Sequence, residues 1–180
     1  MHKDIERILY SQKDIENIVN SLAKQIEKDY NGREFVMVGL LKGCVTFMTD
    51  LMRKVDLDFG IDFMAVSSYG NSTQSSGRIN ILKDLSADVE GKHILIIEDI
   101  VDSGKTLEFI SKYMLSKNAE SVSICTLFNK PQRRDVDIDV RYVGTEIPNE
   151  FIVGYGLDYA EKYRSLPYVG VLKPSVYSDT

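Results

Sequence analysis

Ile15, Ile18, Val19, Leu22 and Ile26 recur at helical spacing between charged residues, which predicts an amphipathic helix over about residues 12–29. Ser11 and Asp14 stand as a capping box with Asp in the place of Glu or Gln, Tyr10 and Ile15 as a hydrophobic staple. Asn31-Gly32 ends the helix. Phe35-Val-Met-Val-Gly-Leu-Leu41 is then a continuous apolar run of strand length, the pattern of a strand buried on both faces. Lys42-Gly43 breaks it, and Val45, Phe47, Met48, Leu51 and Met52 form a short helical stripe. Residues 59–69 read as another strand, and the polar stretch 70–77 offers no apolar anchor before 78–85 returns as the arm of a long hairpin. His93-Ile-Leu-Ile-Ile-Glu-Asp99 is the strongest buried-strand signal, followed by a helix with the stripe Leu107, Ile110 and Met114. Val122–Phe128 is a further strand, with short ones predicted at 140–144, 151–153 and 168–172. No repeat or linker interrupts the alternation. It predicts one α/β domain over residues 1–180, a mostly parallel sheet flanked by helices.

Composition narrows the chemistry. Charged residues at 27% and hydrophobics at 43% are ordinary globular values and exclude a disordered or fibrous chain. A net charge of −5 argues against broad nucleic-acid binding. Only His2, His93, Cys44 and Cys125 could serve imidazole, thiolate or zinc chemistry, without the usual spacings for a closed zinc site. His93 opens an apolar run, and His2 lies in a terminus expected to fray. Two lone thiols without a secretory signal point to a reducing, cytoplasmic compartment, and no apolar run approaches a membrane span.

Ligands of open parallel sheets bind beyond the carboxyl ends of the strands. Here the most apolar strand delivers Glu98, Asp99 and Asp102 to that edge, ahead of a Ser-Gly-Lys-Thr turn that opens a helix. Backbone N–H groups and two hydroxyls at a helix N-terminus suit a phosphate. Acids beside it would repel that phosphate, so they need sugar hydroxyls, or a divalent cation bridging to a second phosphate. A phosphorylated sugar satisfies both halves. The plainer alternative is a capped loop, since Asp and Ser are good N-caps. A kinase-type P-loop fails, because its pattern needs Gly at position 99, which is Asp.

Residues 94–107, Ile-Leu-Ile-Ile-Glu-Asp-Ile-Val-Asp-Ser-Gly-Lys-Thr-Leu, resemble the phosphoribosyl-diphosphate motif of type I phosphoribosyltransferases. Leu40-Leu-Lys-Gly43, Ser67-Ser-Tyr-Gly70 and Pro148-Asn-Glu-Phe-Ile-Val-Gly-Tyr-Gly-Leu-Asp-Tyr-Ala-Glu-Lys-Tyr-Arg164 narrow the resemblance to the hypoxanthine(-guanine) branch. The fold implied adds a small hood and a loop over the site. The reaction implied is transfer of ribose 5-phosphate from phosphoribosyl diphosphate to N9 of hypoxanthine or guanine, with Mg²⁺ as cofactor. Homodimers or homotetramers are usual in the family.

By that resemblance, Glu98 and Asp99 hold the ribose hydroxyls directly or through Mg²⁺, and Asp102 is the general acid/base at purine N7. Ser103, Gly104, Lys105 and Thr106 cradle the 5-phosphate, with Lys105 in the turn's variable slot. Lys42 and Gly43 meet pyrophosphate beside a cis bond between Leu41 and Lys42. Lys130 donates to the 6-oxo oxygen, Phe151 stacks on the base, and the Ile152 backbone reads its edge. Asp158 ligates a second Mg²⁺, and Arg164 neutralises the leaving group. Ser68 and Tyr69 close the site under a lid at 70–77. Gln74, where an acid is common, and Lys105, where an apolar residue is common, are the departures from the pattern. A ligand-sensing, nucleic-acid-binding regulator of the same fold does not suit an acidic chain that keeps Asp102. A receiver domain would carry its acidic pair after the first strand. Xanthine remains open, since its 2-oxo group meets mainly backbone atoms.

Overall fold

A computed structural model describes residues 1–68 and 79–178. Tyr69, Gln74 and the stretch 70–77 lie outside the described residues, as does the side chain of Ser68. Six strands form the main sheet in the order β4-β3-β2-β5-β6-β7: β2 (Phe35–Leu41), β3 (Gly60–Ser68), β4 (Ile79–Lys83), β5 (His93–Val101), β6 (Ser121–Asn129) and β7 (Tyr142–Glu146). All neighbours are parallel except β4, which is antiparallel to β3. The chain moves outward one way from β2 to β3 and the other way from β5 to β6. The strand order therefore reverses between β2 and β5, where open α/β sheets place ligands.

Alternation along β5 explains both the layers and the aim of its acids. Leu95 and Ile97 face the core formed with α1 (Gln12–Tyr30) and α2 (Cys44–Met52). Ile94 and Ile96 face the opposite core, with Leu107, Ile110 and Met114 of α3 (Lys105–Ser116). Continued by two residues, the same period sends Asp99 toward α2 and Glu98 toward α3. All four apolar residues are fully buried. The predicted capping box is present: the Asp14 N–H donates to Ser11 Oγ at 3.2 Å, and the Ser11 N–H to Asp14 Oδ2 at 2.9 Å.

A second, three-stranded sheet is ordered β1-β9-β8, with β1 (Ile5–Tyr10), β8 (Ile152–Val153) and β9 (Val169–Leu172). It is the small hood, and it corrects the picture of the amino-terminal end. β1 pairs antiparallel with β9, Ile5 is 1% exposed, and the His2 N–H donates to the Tyr168 hydroxyl at 2.8 Å. Position alone predicts a frayed terminus, and pairing with a strand some 160 residues away overrides it. No helix among the described residues is long and apolar enough to cross a membrane.

Candidate active site

The ends of β2 and β5 meet through Gly43 and Asp99. A Cβ on Gly43 would lie 1.8 Å from Asp99 Oδ2, so only glycine fits. One on Gly156 would lie 2.3 Å from the Gly43 carbonyl oxygen, which brings the 154–164 segment onto the same spot. The Leu41–Lys42 peptide bond is cis, as the resemblance implied. Burial pushes the Asp99 carboxyl up to about 6, against hydrogen bonds from backbone N–H groups, including that of Ile100 at 2.9 Å. Burial also holds Glu98 well above the usual carboxylate range, and the neighbouring Asp99 adds to it. Two adjacent acids thus sit where their charge is poorly solvated.

The next turn is closely backed at Gly104. Gly104 caps α3 in the left-handed region, with φ +83°. A Cβ there would lie 3.0 Å from Ile138 and 3.1 Å from Arg134, so the residues behind the turn fit against it closely. The Ser103 carbonyl accepts from the Asp135 N–H at 3.0 Å, and Ser103 Oγ accepts from the Lys105 N–H at 3.4 Å. Thr106 lies in the first turn of α3, whose N–H groups have no partners within the helix. The Lys105 ammonium pairs with Asp135 at 2.8 Å, on a half-exposed surface. Asp102 is exposed at the mouth, with Arg133 Nε 3.4 Å from its Oδ1.

On the far side, Lys130 follows β6 and is 7% exposed. Burial lowers the affinity of its amine for a proton. Its Nζ donates to the Glu150 carbonyl at 2.8 Å, which ties the main sheet to the residue before Phe151. Phe151 is 39% exposed and stacks on Tyr177, while Ile152 is buried in β8. The main-chain carbonyl of Phe151 accepts from the Leu172 N–H at 2.8 Å.

Asp158 and Arg164 form a pair at 2.8 Å. Arg164 also donates to the Gly156 carbonyl at 2.7 Å and lies 3.5 Å from Glu161. Glu161 in turn holds the Lys42 ammonium at 3.1 Å. Tyr155, Ala160, Glu161 and Tyr163 all have positive φ, so this segment is an irregular coil shaped around its charges. A cavity of about 530 Å³ lies behind it, between α1, α2 and residues 164–167, and includes none of the strand-end acids. Sequence reading singled out neither Glu161, Arg133 nor Tyr177. Each is joined to the site by a contact between distant parts of the chain or by an exposed ion pair, which local pattern does not signal.

The fold and this strand-end site define the class: a phosphoribosyl transferase domain, whose family description matches residues 7–160. The hypoxanthine-guanine phosphoribosyltransferase of Staphylococcus aureus is 50% identical over 179 residues, 99% of this chain and 100% of that one. A bifunctional TilS/HprT protein of Listeria monocytogenes is also 50% identical, and the chain spans 28% of its length. A crystal structure of a Staphylococcus aureus hypoxanthine phosphoribosyltransferase matches with a TM-score of 0.95 at 50% identity, over 98% of this chain and 96% of that one. A Bacillus anthracis hypoxanthine-guanine phosphoribosyltransferase matches at 0.89 and 44% identity, over 93% and 99%. The chain belongs to the hypoxanthine-guanine phosphoribosyltransferase family.

Proposed function

We propose that the protein is a purine-salvage enzyme that transfers ribose 5-phosphate from phosphoribosyl diphosphate to N9 of hypoxanthine and guanine, releasing pyrophosphate. The observation that carries this reading is the meeting of Asp99 and Gly43 at the sheet's switch point, next to the Asp102–Thr106 turn. A sugar placed there has carboxylates for its hydroxyls and a helix N-terminus for its phosphate.

The bond to the leaving diphosphate breaks as the bond to N9 forms, so positive charge develops on the ribose. The polar groups of the site are already arranged around that charge, and positioning supplies the rest of the rate. Ser103, Gly104 and Thr106 bind the 5-phosphate through backbone N–H groups and hydroxyls, while Lys105 contributes through its backbone. Glu98 and Asp99 orient the ribose hydroxyls. Asp102 exchanges a proton at purine N7, a step that contributes about 10²–10⁴-fold. Lys130 donates to the 6-oxo oxygen, Phe151 stacks on the ring, and the Ile152 backbone reads its edge. Lys42, Gly43 and Arg164 bind the departing pyrophosphate, with Glu161 and Asp158 exchanging partners as it arrives.

The donor set suits Mg²⁺. Glu98 and Asp99 offer hard carboxylate oxygens to one ion and Asp158 to a second, and a divalent cation would favour the ionised forms that burial resists at Glu98 and Asp99. Among the described residues no three His, Cys, Asp or Glu side chains converge, so phosphate oxygens and water would have to complete the shell of any ion bound there. When bound, Mg²⁺ neutralises charge on the diphosphate and makes it a better leaving group. The proposal extends to one domain over residues 1–180, a cytoplasmic location and assembly as a homodimer or homotetramer. It is tested by incubating the protein with phosphoribosyl diphosphate, Mg²⁺ and, in turn, hypoxanthine, guanine and xanthine. Nucleotide from the first two supports it, and no nucleotide from any purine excludes it.

A further inference from the structure

We propose that Tyr177 is a positioning residue for the purine, holding Phe151 flat as the surface on which the base stacks. The inference rests on the reading of Phe151 given above and goes beyond it to the carboxyl-terminal turn. The rings of Phe151 and Tyr177 are stacked, with centroids 5.0 Å apart and planes 23° from parallel. Tyr159 meets Phe151 at 89° with centroids 5.5 Å apart, and meets Tyr177 at 66°. Phe151 nevertheless stays 39% exposed, so neither aromatic neighbour buries it.

Tyr177 can act as a fixed backing because the chain beneath it is anchored. β9 pairs with β8, and the Leu172 N–H donates to the Phe151 carbonyl at 2.8 Å. The chain then turns through Pro174–Val176, where the Tyr177 N–H donates to the Pro174 carbonyl at 3.1 Å. Val176 and Tyr177 pack with Tyr159, Tyr163 and Leu166 against buried Ile5, Val153 and Leu172. A phenylalanine on the surface would otherwise lose rotamer freedom only when the base arrives, at a cost to affinity. Stacking on Tyr177 and bracing by Tyr159 remove that freedom beforehand.

The contact is aromatic, so an aliphatic residue should not replace tyrosine. In steady-state kinetics with hypoxanthine, phosphoribosyl diphosphate and Mg²⁺, Tyr177→Ala should raise the KM for hypoxanthine about three- to tenfold, the worth of one aromatic stack. Its kcat and its KM for phosphoribosyl diphosphate should stay within twofold or so. Tyr177→Leu, which keeps most of the apolar bulk without the flat face, should behave as Tyr177→Ala and decides the matter if the latter does not fold. An unchanged hypoxanthine KM in Tyr177→Ala or Tyr177→Leu, or an equal rise in both KM values, overturns the proposal while leaving the enzyme reading intact. Absence of turnover in the unaltered protein removes both.

Discussion

Asp99 lies so close to Gly43 that a Cβ on the glycine would sit 1.8 Å from its Oδ2. Gly43 has φ −59°, a helical value any residue adopts, so space alone requires glycine here. The carboxylate from the end of β5 is therefore seated against the backbone that leads into α2. Gly43→Ala should displace Asp99 or the Lys42–Gly43 turn by an ångström or more. The expected loss in kcat/KM is on the order of a hundredfold, with a lower melting temperature. Kinetics alongside a thermal melt check both.

Asp102 makes a different kind of contact. It is exposed and meets Arg133 through a surface ion pair at 3.4 Å, an interaction that contributes at most about 1 kcal/mol to stability. Asp102→Asn should therefore melt close to the unaltered protein while kcat with hypoxanthine falls by about 10²–10⁴-fold. Full turnover in this variant would remove the assigned proton transfer.

The Lys130 ammonium bridges the two sheets through the Glu150 carbonyl, and it is the candidate donor to the purine 6-oxo group. Lys130→Met keeps the length of the side chain and removes the donor. Loss of a charged hydrogen bond predicts a hypoxanthine KM raised by roughly tenfold or more. Preference for 6-oxo over 6-amino purines should shrink in parallel, measured as the ratio of kcat/KM values for hypoxanthine and adenine.

Asp62 makes a prediction about stability rather than turnover. Burial opposes its charge, but the N–H groups of Ala87, Phe63 and Ser86, with the Lys83 ammonium, more than offset this and hold its carboxyl below the usual range. A carboxyl depressed in the folded state stabilises the protein above its unfolded value and loses that effect as pH falls through the folded value. At pH 7, Asp62→Ala should cost about 2–3 kcal/mol. The gap between variant and unaltered protein should narrow as the medium is made more acid than about pH 4, the unfolded value. Denaturant melts at pH 7 and below pH 4 measure both arms.

Period and punctuation made much of this architecture legible before any coordinates. The unbroken apolar run in His93–Asp99 marked the central strand, whereas the opposite aims of Glu98 and Asp99 emerge only from the two cores that β5 separates. The Ser11–Asp14 box marked the start of α1 because both partners lie within four residues. What local pattern missed depends on distant partners. Ile5–Tyr10 lacks a clean alternation and is a strand because β9 completes it, with register shifts along the pairing. The strand predicted at 140–144 runs from Tyr142 to Glu146, where pairing with β6 begins and ends. Within the site, family resemblance named Lys42 and Arg164, but their tie through Glu161 joins residues 119 positions apart and leaves no mark on periodicity. The Phe151–Tyr177 stack is of the same kind.

The most direct test of the account is stoichiometry. The unaltered protein is supplied with hypoxanthine, phosphoribosyl diphosphate and Mg²⁺, and pyrophosphate and purine nucleotide are quantified together. The prediction is one pyrophosphate released for each nucleotide formed, joined at N9, with neither produced when the purine is omitted. Pyrophosphate release without nucleotide, or nucleotide joined at another nitrogen, would contradict it.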